Sequence, residues 1–164
     1  MTSVEEAHLA QAAERLVACI EASIAEWVER AVEEVVTVSG GEISPALREA
    51  AVAAGREARR QIPRAVGEVV RRDPDEQRAT PLQVLRGAAR YPTDVLVSFG
   101  VPARRRDRDS EARFPADVYD LVPAAFADLG PDVGEAGLVW GAARARVHQA
   151  RHRISAADQE VSEP

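Results

Sequence analysis

The stretch SVEEAHLAQAAERLVACIEASIAEWVERAVEEVVTV, residues 3–38, decides the fold. Its apolar positions Leu9, Ala13, Leu16, Ile20, Ile24, Trp27, Ala31, Val35 and Val38 recur at steps of 4, 3, 4, 4, 3, 4, 4 and 3. The mean step lies close to the natural helical period, so the stripe stays on one face of a straight helix without supercoiling. Ser3 followed by Glu6 forms a capping box, and Glu5 and Glu6 suit the positive end of the helix dipole. At about 1.5 Å per residue such a rod reaches roughly 50 Å, longer than a small domain comfortably covers. The expectation that follows is an apolar edge, centred on Ile20, Ile24, Trp27, Ala31 and Val35, that projects and seeks a partner.

Working outward, Ser39, Gly40 and Gly41 supply a stop, and Ser44 with Pro45 reads as the cap and first residue of a second helix. That helix is rich in alanine, and Pro63 is expected to kink or divide it. Asp73 and Pro74 make a turn, Thr80 and Pro81 open another helix, and Pro92 is expected to interrupt it before Gly100 and Pro102 end it. Residues 103–113, ARRRDRDSEAR, carry no apolar residue larger than alanine and read as a solvated, self-neutralising loop. Residues 114–130 suggest short helical turns anchored by aromatic side chains. A last helix occupies about residues 132–154, with Ala136, Trp140, Ala143, Val147, Ala150 and Ile154 on one face. No alternating strand pattern and no fixed-period repeat occurs. The reading is all-α: an antiparallel bundle of about five helices in one domain, residues 1–154, with the two tryptophan-bearing helices as the main packing pair and a polar, fraying tail over 155–164.

Composition narrows the chemistry. The 164 residues carry 27 acids and 21 basic residues, a net charge of −6, and every basic residue among the 21 is arginine. The absence of lysine removes Schiff-base chemistry and the lysine of a phosphate-binding loop. The lack of lysine and asparagine beside abundant alanine and arginine matches the codon bias of a GC-rich bacterial genome. Cys19 is the only cysteine, so no intrachain disulfide forms and a cytoplasmic setting is expected. There is no basic-then-apolar leader at the start and no run of 18 apolar residues, so neither export nor membrane insertion is expected.

Charge is uneven along the chain. Residues 1–42 hold nine acids against two arginines, residues 43–113 hold ten against fifteen, and residues 114–164 hold eight against four. The middle third is therefore the basic region, and Arg56, Arg59, Arg60, Arg64, Arg71 and Arg72 cluster on its long helix. Guanidinium groups suit bidentate contacts to phosphate or carboxylate. The simplest account pairs these arginines with glutamates of the first helix, and nucleic acid is not expected as a partner of so acidic a chain. Residues 82–99 resemble two helices around a turn, but the second would begin at Pro92 and offers Thr93 and Asp94, with no basic or amide side chain to read bases.

Three readings of function remain. The first is a noncatalytic helical interaction or adaptor protein that uses its long acidic first helix for self-association or docking of a helical partner. The second is arginine-mediated binding of nucleic acid or another polyanion by residues 56–108, which requires a basic face unopposed by the first helix. The third is a small enzyme centred on Asp117, Tyr119 and Asp120, which requires a pocket where those side chains converge. No catalytic motif is present, and turn capping is the favoured explanation of such acids. His148 and His152 have metal-binding spacing, but Arg144, Arg146, Arg151 and Arg153 surround them, so no metal or other cofactor is expected.

Overall fold

A computed structural model of the chain describes residues 4–76, 79–103, 105–115 and 118–160, with side chains of the last helix described as far as Arg153. The fold is all-helical, and no strand occurs among the described residues. Helix α1 spans Val4–Val38, α2 spans Pro45–Val70, α3 spans Pro81–Arg86, α4 spans Arg90–Ser98, α5 spans Arg108–Arg113 and α6 spans Pro131–Glu160. Short 3-10 turns at Gly87–Ala89 and Phe126–Asp128 join α3 to α4 and precede α6.

Local chemistry sets these boundaries. The Gly40 backbone takes a φ of 73°, a left-handed conformation that stops α1. Ser44 caps α2 by accepting the Leu47 amide at 3.1 Å, with Pro45 at the first helical position where its missing N–H costs nothing. Thr80 and Gln83 form a reciprocal capping box at the start of α3. Pro63 leaves α2 undivided: it lies buried within a single run from Pro45 to Val70, so the flanking burial outweighs the lost hydrogen bond. The break near Pro92 comes at Gly87–Ala89, where the backbone tightens to a 3-10 turn just before α4.

Contacts along the helices fix the topology. Glu14 meets Arg71 and Ala25 meets Gly55, so α2 runs antiparallel to α1. Arg15 meets Glu135 and Glu6 meets Arg151, so α6 also runs antiparallel to α1. The α3–α4 segment returns antiparallel to α2, with Tyr91 bonded to Gln61. The result is an up-down-up-down bundle in which α1 is the central wall and α2 is its most extensive neighbour, ahead of α6. Alanine and glycine on α2 permit that closer approach, which displaces the expected α1–α6 pair from first place.

The edge of α1 that was expected to project is instead core. Ile20 and Ile24 are fully buried, and Trp27, Ala31 and Val35 are buried too, all within one chain. The rod is covered in two sections. One apolar cluster, including Leu16, Ile24, Val66, Leu85, Val133 and Trp140, packs the first two thirds of α1 between α2, α3 and α6. A second, including Val32, Val35, Leu47, Leu96 and Tyr119, closes the remaining third with α4 and the irregular segment. The length estimate was sound, but it left out the coverage supplied by residues with no periodicity of their own.

Two boundaries shift. A short helix, α5, occupies the second half of the expected loop: Asp107 accepts the Ser110 amide at 2.6 Å, and Arg106 donates to the carbonyls of Ser110 and Phe114 at its other end. It buries no residue, so hydrophobic periodicity gives it no signature. Helix α6 continues to Glu160, so the expected boundary at residue 154 falls inside a helix rather than at its end. None of the described helices is long and apolar enough to cross a membrane.

Candidate functional site

The six arginines of the middle segment separate into two groups. Arg56, Arg59, Arg60 and Arg64 stand at positions i, i+3, i+4 and i+8 of α2, and all four are exposed. This row covers roughly 12 Å of helix at about 1.5 Å per residue. Arg71 and Arg72 lie at the far end of α2 beside α1 and α6.

The expected pairing of these arginines with glutamates of α1 occurs once among the described residues. Arg71 donates from Nε and Nη2 to the two carboxylate oxygens of Glu14, at 2.8 and 3.1 Å. That hydrogen bond holds the Glu14 carboxyl below its ordinary range and the Arg71 guanidinium above its own. On the outer face the partners are local. Arg60 makes a bidentate contact with Glu57, three residues earlier, and Arg64 approaches Glu68, four residues later, at 3.7 Å. Glu57 also accepts from Gln61, and the hydrogen bonds from Arg60 and then Gln61 lower its pKa. Arg56 and Arg59 make no ion pair with a described residue. No glutamate of α1 pairs with any of these four arginines among the described residues. Arg90 extends the basic surface at one edge, donating to Gln61 at 2.8 Å and to the Tyr91 hydroxyl at 2.7 Å.

A groove of about 520 Å³ runs between the start of α1, the end of α2 and α6. Its floor includes Leu9, Ala13, Val70 and Val147, and its rim holds Glu6, Glu14, Arg71, Arg72, Asp73 and Arg151. Arg151 closes one side by contacting Glu6 at 3.1 Å, Asp73 at 2.8 Å and Asp75 at 3.0 Å, which raises its pKa still further. Among the described residues, Asp75, His148 and His152 form the group able to hold a metal ion.

Of the acidic and aromatic constellation, Tyr119 does not line the hollow on which Asp120 sits. The Tyr119 side chain is buried, and its hydroxyl donates to the Val101 carbonyl, tying the irregular segment to the end of α4. Burial pushes its pKa up, which opposes use as a base. Asp120 is exposed on a separate hollow lined by Trp27, Arg30, Glu34 and Asp128. Asp128 acts there as a structural acceptor, taking the amides of Ala124 at 2.7 Å and Ala125 at 2.9 Å. Asp117 lies outside the described residues.

No protein-family model, curated protein or solved structure matches this chain.

Proposed function

We propose that this is a noncatalytic helical interaction protein that docks an acidic protein segment on the outer arginine face of α2. The supporting observation is the exposed pair Arg56 and Arg59, without an ionic partner among the described residues and flanked by Arg60 and Arg64. The Arg60 and Arg64 contacts are exposed pairs within one helix, worth little in water and readily exchanged for an incoming carboxylate. Guanidinium forks at these spacings complement carboxylates displayed at three- and four-residue intervals on a partner helix. The net charge of −6 opposes long-range attraction to any polyanion, and it weighs more against the dense charge of a phosphate backbone than against a sparsely acidic protein segment, which favours the latter. A cytoplasmic setting fits the single, partly buried free thiol of Cys19.

The test is fluorescence anisotropy with two labelled probes at low salt, a helical peptide bearing glutamates at every third or fourth position and a single-stranded oligonucleotide. The expected result is peptide binding that weakens as salt rises and falls at least tenfold in Arg56→Glu/Arg59→Glu. Absence of peptide binding, or binding untouched by the substitutions, overturns the proposal. Oligonucleotide binding lost in the same variant transfers the face to polyanion recognition.

A further inference from the structure

We infer that Asp75, His148 and His152 bind a divalent transition-metal ion, with zinc the best match to their donor set, and that the ion fastens the α2–α3 connection to α6. This inference is independent of the arginine face, which lies on α2. His148 and His152 stand one helical turn apart on α6, with ring centroids 4.2 Å apart. The third donor arrives from far away in sequence, with Asp75 Oδ1 lying 3.1 Å from His148 Nδ1. One donor atom from each residue can be chosen so that all three lie within 4.8 Å of one another. Two imidazoles and a carboxylate form a mixed nitrogen and oxygen set of the kind zinc accepts, with water free to complete a tetrahedron. Donors at about 2.0–2.1 Å from a tetrahedral ion are about 3.3 Å apart. The closure needed is thus a side-chain adjustment of an ångström or so, and all three side chains are exposed.

Of the four arginines weighed against a cation, Arg144 and Arg146 face other neighbours and Arg151 is neutralised by carboxylates. Arg144 donates to the Pro74 carbonyl at 3.2 Å, and its guanidinium lies 5.8 Å from the centroid of the Trp140 ring. Arg146 lines a different hollow, with Val4, Glu5 and His8. Arg151 is surrounded by Glu6, Asp73 and Asp75, three carboxylates against one guanidinium. Its contact with Asp75 uses Oδ2, which leaves Oδ1 turned toward the histidines. Arg151 thus acts as an outer partner that orients the ligating carboxylate, an arrangement common around protein-bound metals.

The test is titration of tag-free full-length protein with zinc chloride by isothermal calorimetry, followed by cobalt chloride with visible absorption recorded. The expected results are one zinc per chain, a cobalt d–d spectrum, and a thermal midpoint that rises with added zinc. His148→Ala and His152→Ala are each expected to weaken binding by at least about tenfold, as loss of even an outer partner does at established sites. Asp75→Asn is expected to weaken binding and to remove the thermal shift. Circular dichroism of each variant without metal checks that the exposed substitutions leave the fold intact. No heat of binding at submillimolar zinc, or wild-type affinity in His152→Ala, overturns the inference. Binding that depends on His148 and His152 but not Asp75 overturns the fastening role.

Discussion

Gly55 lies so close to Ala25 that a Cβ placed on it would stand 2.9 Å from the Ala25 carbonyl oxygen and 3.3 Å from its Cα. Because the obstruction is backbone, no side-chain rotation relieves it, and α1 and α2 must separate to admit a larger residue. Gly55→Val is expected to lower stability by about 1–3 kcal/mol, the usual cost of overpacking. This exceeds the gain in helix propensity, which is below about 1 kcal/mol. Urea unfolding measures the change, and an unaltered midpoint would show that the helices part freely.

Ile24 is fully enclosed by its own chain, which separates a core role from a docking role. Ile24→Ala is expected to cost about 2–5 kcal/mol through lost burial and a cavity. Ile24→Asp is expected to abolish cooperative unfolding at every protein concentration. Light scattering that instead found a folded monomer released from a larger species would return this residue to an intermolecular interface.

Tyr119 couples the irregular segment to Val101 and does so as a neutral phenol. Its folded-state pKa is raised above the unfolded value of about 10, so its contribution is fully present below that value. It is lost as pH rises through the folded value. Denaturation between pH 8 and pH 11, values set around the phenol reference of about 10, checks this. Tyr119→Phe is expected to lose about 0.5–1.5 kcal/mol at neutral pH through the unpaired carbonyl and to show a flatter alkaline decline.

The Glu14–Arg71 pair supplies the opposite sign. Hydrogen bonding to Arg71 lowers the folded-state pKa of Glu14, so the stabilisation is present above the unfolded value near 4.3 and disappears as pH falls through the folded value. Wild type is expected to exceed Glu14→Gln slightly at neutral pH and to converge with it in acid, the gap shrinking with salt because both groups are exposed. Paired urea melts at the two pH extremes read the difference.

The helical architecture was legible wherever periodicity and capping agreed. Ser44 with Pro45 and Thr80 with Pro81 start helices as their types dictate, and the α1 stripe from Ala13 to Val35 is the buried face. That an aromatic side chain of residues 114–130 anchors on the core was legible, and Tyr119 does so; which part of the stripe it and Leu129 cover was not, because that segment has no repeating pattern. Glycine shows the same limit: Gly137 makes room for the Phe126 ring of that irregular segment. The arginine cluster was visible as composition, whereas its partners were not, since direction around α2 decides which guanidinium meets α1. His148 and His152 were visible as a spacing, and their third donor emerges only when the chain folds Asp75 onto α6.

The central position of α1 also bears on biosynthesis. Leu16, Ile20 and Ile24 leave the ribosome well before the segments that enclose them, and α6, which completes the enclosure, is the last helix synthesised. Until α6 joins, the side of α1 that it covers therefore stands open to water, and enclosure by α2 alone is incomplete.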